Sequence, residues 1–303
     1  MTRIKEKVMH GLLFNNGDSA NEDGRADDND DDNSSVVPSI YDRKMSSMWL
    51  TKGNMSPQQE GMLTKLQDRN LYFGGMSKRC PHCFKGSRSV EHLATHCGGM
   101  LDLYYKKRHD EVVRCLHFLY TKKYRLNRSS KLKNYKVEKA ISNDRVKIKS
   151  DAKIETELSL EYNKPDLMIH DRRTKEITLI EVGITNKNIL AKTELQKSQK
   201  YDVLKNELKV MYPGCKVITV PVVMTWDGLV TRHFKGYMKQ LEVTDRLMAC
   251  MQSVVLKQTC ESILEDCRRI QRGVWLEDEV DEMMAQLETQ PAGPEQGAQL
   301  MPR

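Results

Sequence analysis

Residues 164–184 read KPDLMIHDRRTKEITLIEVGI. Within this stretch, 166–170 (DLMIH) and 176–184 (EITLIEVGI) are short runs rich in apolar and β-branched residues, and Asp171-Arg172-Arg173 between them has turn character. In the second run both parities are apolar, the pattern of a strand covered on both faces and therefore interior to a sheet. Two such runs joined by a turn lie side by side.

Working outward, residues 152–160 (AKIETELSL) alternate, with Ile154, Leu158 and Leu160 on one side and Lys153, Glu155 and Glu157 on the other. That period predicts a third strand with Glu155 and Glu157 on its solvated face. Residues 189–211 have helical spacing up to Pro213-Gly214, which stops a helix. Residues 216–224 (KVITVPVVM) form another β-branched run. On the N-terminal side, residues 100–124 place Val112, Val113, Leu116, Leu119 and Tyr120 at helical spacing, and a basic segment of low apolar content follows to residue 150. The order helix, three strands, helix, strand predicts an α/β layered fold.

Further out, Ser56-Pro57 is suited to begin a helix through Met62, Leu63 and Leu66. Residues 15–39 are polar and acidic, with too little apolar surface to offset the entropy of ordering. The reading divides the chain into a disordered acidic leader (1–44), a helical linker (45–79), a cysteine module (80–99), an α/β domain (100–236), C-terminal helices (237–287) and a loose tail (288–303).

The 303 residues carry a formal charge of +7, unevenly spread. Residues 18–32 hold eight acidic side chains against one arginine, whereas residues 121–150 hold eleven basic and two acidic ones. Outside the leader the chain is basic, which favours a polyanionic partner such as nucleic acid. No secretory signal and no membrane-length apolar run is visible.

Of eight cysteines, Cys80, Cys83 and Cys97 cluster, while Cys115, Cys215, Cys250, Cys260 and Cys267 are scattered. That is a poor disulfide framework and a better metal site, as expected in a reducing compartment. In Cys80-Pro-His-Cys83, eight intervening residues lead to His92 and four more to Cys97. Two thiolates, an imidazole and a third thiolate can enclose one tetrahedral Zn²⁺. His96 competes for the fourth position, and His82 is a weaker rival.

Fourteen residues separate Asp166 from Glu181. On adjacent strands they can come together, and a carboxylate pair suits Mg²⁺ or Mn²⁺ that must also hold water and a phosphate oxygen. A lysine two residues after the glutamate would complete such a site, but that position is Gly183. At ~100° per residue, Leu190, Lys197, Tyr201, Leu204, Leu208 and Met211 share one stripe of the following helix, with Lys200 at its margin. A lysine in a core-facing stripe implies an anion beneath it. His109 and His117 fit surface or cap positions, and Trp226 and Trp275 fit the core.

The succession Ser47-Met-Trp-Leu50, Gln67-Asp-Arg69, the Cys80/Cys83/His92/Cys97 module, Arg108-His109-Asp110, Lys164-Pro-Asp166, Glu181 and Lys197-x-x-Lys200-Tyr201 resembles the region downstream of the reverse transcriptase in non-LTR retrotransposons. It is most similar to those with a restriction-like endonuclease of the PD-(D/E)XK fold, over roughly residues 45–240. The resemblance implies an αβββαβ core that nicks DNA by phosphodiester hydrolysis, with Asp166 and Glu181 as Mg²⁺ or Mn²⁺ ligands. It implies Lys197 or Lys200 as the displaced active-site lysine, with Arg108, His109 and Tyr201 in support. It further implies a nuclear location and, as partners, DNA, the element's RNA and its reverse transcriptase. Asp110 stands where Asn is common, Glu181 where Asp often occurs, and no reverse-transcriptase palm is present. The alternative is a nucleic-acid-binding remnant without cleavage.

Overall fold

The computed structural model describes residues 40–67, 79–80, 82–100, 104–126 and 131–271. The acidic run 18–32, Asp68-Arg69, Trp275 and the tail 288–303 lie outside the described residues, as does the side chain of Cys267.

Short helices α1 (Arg43–Ser46) and α2 (Met48–Lys52) open the described chain, followed by α3 (Pro57–Gln67), α4 (Val90–Thr95) and α5 (Lys106–Lys123). The sheet contains β1 (Ala140–Ser142), β2 (Val146–Ser150), β3 (Leu167–Asp171) and β4 (Glu176–Thr185). Helices α6 (Leu190–Gln199) and α7 (Asp202–Met211) then lead to β5 (Lys216–Thr225), and α8 (Phe234–Gln240) and α9 (Asp245–Gln271) follow. Strand order is β1-β2-β3-β4-β5, antiparallel up to β4 and parallel between β4 and β5. The parallel return needs a crossover, and α6 and α7 supply it. This is an α/β fold with a mixed five-stranded sheet.

The two interior runs fall where their pattern puts them. Residues 177–185 of β4 are all buried, because β3 and β5 flank the strand and helices cover both faces. One face meets the larger core, where Ile180 and Val182 join Val112 and Leu116 of α5 and Met251 and Val255 of α9. Trp49, Leu63 and Leu66 from α2 and α3 enter the same core. The other face packs Met168, Ile177 and Leu179 against Tyr201, Leu204 and Leu208. Edge position explains why β5 accommodates Pro221, which has no N–H to give to a further strand.

Three expectations are corrected. Residues 152–160 are not a strand: Ile154 is buried, but Leu158 is 58% exposed. The place beside β3 is taken by β2, from the segment read as merely basic; Val146, Ile148 and Ser150 turn inward while Lys147 and Lys149 stay partly exposed. A two-residue period shows that a segment can form a strand, and competition for one sheet edge decides which segment does. Secondly, the helix over 189–211 is two helices, with Tyr201 leaving helical geometry at the joint (φ −109°, ψ 23°). Met211, placed on its buried stripe, is 36% exposed. Thirdly, residues 40–44 belong to the fold rather than to the leader. Tyr41 bridges Thr231, and the Asp42 side chain caps α1 by accepting from the Met45 amide.

Candidate functional site

The β3–β4 register pairs Leu167 with Ile180 and Met168 with Leu179. Continued by one position, it sets Asp166 opposite Glu181, on the sheet face that α6 and α7 cover. The Val182 amide locks this end by donating to Asp166 Oδ2 at 2.7 Å.

Glu181 is almost fully buried and both its oxygens are engaged. Lys197 Nζ and Lys200 Nζ donate to Oε1 at 2.7 and 2.5 Å. The Tyr201 hydroxyl lies 2.8 Å from Oε2 and 2.9 Å from the Lys164 carbonyl. The break between α6 and α7 gathers these three groups of Lys197–Tyr201 on one carboxylate. Burial opposes charge on Lys197, but Glu181 and then Asp166 outweigh it, so its pKa lies above the usual lysine range. Burial, reinforced by Glu181, raises the Tyr201 phenol and keeps it protonated.

A Cβ on Gly183 would stand 3.6 Å from Lys197 Cε and 3.3 Å from a Val223 methyl. The Lys197 stem thus passes over the spot where a side chain at 183 would begin. Both candidate lysines reach Glu181.

Its place in the helix suggested a surface or cap role for His109, while the family resemblance implied a supporting one; its Nε2 lies 3.1 Å from Asp166 Oδ2 and its Nδ1 3.1 Å from Asp110 Oδ1. Burial disfavours the imidazolium, but the bonds and charges of Asp166 and then Asp110 prevail and raise the His109 pKa. Conversely, burial pushes Asp166 up, and His109, the Val182 amide and Lys197 together hold it below the ordinary carboxylate value. The signal was available in the sequence: His109 precedes Val112, Val113 and Leu116 by three, four and seven positions, which is the buried stripe of α5. His117, likewise expected at the surface, is fully buried, with Nδ1 2.5 Å from the Tyr135 hydroxyl.

Asp166, Glu181, His109 and both lysines line a cleft of about 1040 Å³. Lys106 and Lys139 add positive charge to its walls, Lys164 is paired with Asp151, which also lines it, and Thr95 brings the cysteine module to it. Glu155 and Glu157 are exposed, as expected.

The module assembles as its spacing predicts. The ligand atoms of Cys80, Cys83, His92 and Cys97 lie within 4.8 Å of one another, the only such metal-capable group among the described residues. Cys80 Sγ and Cys97 Sγ are 3.5 Å apart, and Cys83 Sγ and His92 Nε2 3.2 Å. Metal–ligand bonds of about 2.0–2.3 Å give tetrahedral edges of about 3.3–3.8 Å, so this donor set fits a metal such as zinc. Gly86 admits the His92 ring, since a Cβ there would stand 2.4 Å from Cε1. Burial raises Cys97 to about 12, aided by Cys80, whereas the Lys85 and Gly86 amides outweigh burial at Cys83 and lower its thiol. His96 and His82 are not in the cluster; His96 Nδ1 lies 2.8 Å from the Thr95 hydroxyl.

Arg108 is not at the cleft. It is 1% exposed, with Nη2 donating to the Ala94 carbonyl in α4 and Nε and Nη1 without a partner among the described residues. Burial lowers its pKa to about 10. No helix among the described residues is long and apolar enough to cross a membrane. No protein-family profile and no curated protein matches the chain.

Proposed function

We propose that the cleft is the active site of a metal-dependent DNA endonuclease of the PD-(D/E)XK type, derived from a non-LTR retrotransposon. One observation carries the reading: Asp166 and Glu181 stand at facing register positions of neighbouring strands, and Lys197 extends from α6 over Gly183 to reach them. The element order supports it as well: with the short edge strand β1 set aside as an addition, α5, β2–β4, α6 and α7, and β5 follow an αβββαβ succession.

A magnesium or manganese ion would be held first by Asp166, and by Glu181 where it displaces a lysine from Oε1, since Mg²⁺ needs only one or two carboxylates and keeps several waters. Asp166 lines the cleft, and its Oδ1 has no hydrogen-bond partner among the described residues. When bound, the ion would supply Lewis-acid activation of a phosphodiester and of water. The chain's own groups do the rest. Lys197 and Lys200 bring positive charge to the reacting phosphate, as preorganised donors do where negative charge develops. Lys106 and Lys139 draw the backbone of DNA into the cleft. The Val182 amide and Tyr201 fix the two carboxylates, so neither must reorganise when substrate arrives.

The test is nicking of supercoiled plasmid with Mg²⁺ or Mn²⁺ by wild type, Asp166→Ala and Lys197→Ala. Activity confined to wild type supports the enzyme; equal background in all three ends it. A second reading, a nucleic-acid-binding remnant, is favoured by the cations that already hold Glu181 Oε1 and Asp166 Oδ2. It requires binding that falls steeply with salt and no cleavage.

A further inference from the structure

Arg108 and His109 are consecutive residues of α5 that hold two different parts of the molecule. Arg108 donates to the carbonyl of Ala94, in the helix that carries His92 and runs into Cys97. His109 meets Asp166. Thr95, the last residue of α4, lines the same cleft as His109 and Asp166.

A guanidinium at 1% exposure with no ion-pair partner among the described residues is unfavourable unless the structure gains by holding it there. Its one hydrogen-bond partner among the described residues is the Ala94 carbonyl. The last four carbonyls of a helix lack intrahelical donors, and the C-terminal end of the dipole favours a cation. Ala94 is in the last turn of α4, so Arg108 caps that end from outside. At six residues α4 cannot hold itself helical; Val90 and Ala94 anchor one face in the core, and His92 and Cys97 are the ligands that a metal would fix.

We propose that Arg108 is a positioning residue through which metal in the Cys80/Cys83/His92/Cys97 site sets His109 against Asp166. The bound metal fixes α4, α4 presents the Ala94 carbonyl, Arg108 is clamped there, and the first turns of α5 are thereby aimed. The cysteine module is then part of the cleft's scaffold and not a separate handle for nucleic acid. This deepens the reading of the cleft as an active site, but its test needs no turnover and stands or falls separately from nicking.

The experiment records imidazole ¹H–¹³C spectra of the full chain with ¹³C-labelled histidine and zinc as the only divalent ion. The His109 signal is assigned by His109→Gln. His170, which packs edge-on against Tyr212 on the far part of the sheet, serves as the internal control. Removing zinc, or substituting Arg108→Gln in the zinc-loaded chain, is expected to move the His109 signal to the free-imidazole position and leave His170 in place. Arg108→Lys, which keeps a cation for the Ala94 carbonyl, is expected to restore the wild-type position at least in part. An unchanged His109 signal after verified zinc release, or in Arg108→Gln, overturns the proposal. Joint collapse of the His109 and His170 signals in the stripped chain also overturns it, because the metal would then stabilise the whole fold and aim nothing in particular.

Discussion

Lys197 Cε lies 3.6 Å from the point where a Cβ on Gly183 would stand, so a helix delivers a lysine to a place the strand itself leaves bare. Strand and helix are separate routes to one position, and the close approach suits glycine at 183. Lys197→Ala is therefore expected to lower single-turnover nicking about 10²-fold, the scale of removing one preorganised donor. Adding Gly183→Lys to Lys197→Ala should recover part of the loss, since the deleted stem vacates the space beside Val223. Wild-type turnover in Lys197→Ala would remove this lysine from the chemistry.

Glu181 accepts from two ammonium groups and a phenol while almost fully buried. Replacing it with alanine leaves two cations facing each other beneath α6. Breaking a buried ion pair costs about 3–5 kcal/mol, and the lower end applies because Lys197 and Lys200 keep 24% and 29% exposure. Urea unfolding at neutral pH should show Glu181→Ala destabilised by that order. A variant as stable as wild type would mean that the ion pairs contribute nothing net.

The His109–Asp166 pair has a defined pH window. His109 is raised above its ordinary 6.5, so its contribution is complete below that value and disappears as pH rises through the folded pKa. Asp166 is lowered below its ordinary 3.8, so its contribution is complete above that value and disappears as pH falls through the folded pKa. The stability lost in His109→Gln should thus peak near about pH 5–6 and shrink towards alkaline pH. A penalty that grows steadily above pH 7 contradicts the assignment.

Zinc content separates the four ligands from their neighbours. Purified protein should carry one zinc per chain, given the single Cys80/Cys83/His92/Cys97 cluster among the described residues. Cys80→Ser and Cys97→Ser should lose it, because both thiols are fully buried and no other metal-ligating group among the described residues joins the cluster. His96→Gln, which alters only a group bonded to Thr95, should retain it. Loss of zinc in His96→Gln but not in a His92 variant would reverse the ligand assignment.

The sequence by itself determined what depends on short stretches of chain. The ligand spacing from Cys80 to Cys97 picked out the four donors that cluster, since one turn, one short helix and the residues just after it supply them all. The apolar runs at 166–170 and 176–184 defined the two strands that carry the carboxylates, and Gly183 already signalled that the lysine had to come from elsewhere. The tertiary structure alone decided what depends on competition or on distant pairs. Residues 152–160 and 146–150 both carry a strand-like alternation, and only the packed sheet shows that the second holds the edge of β3. His109 and Asp166 are far apart in sequence, and their contact follows from where α5 crosses the sheet, which no local period encodes. A side chain's partner is fixed by the packing of whole elements, because burial energy is shared among many residues and chooses one arrangement for all of them at once.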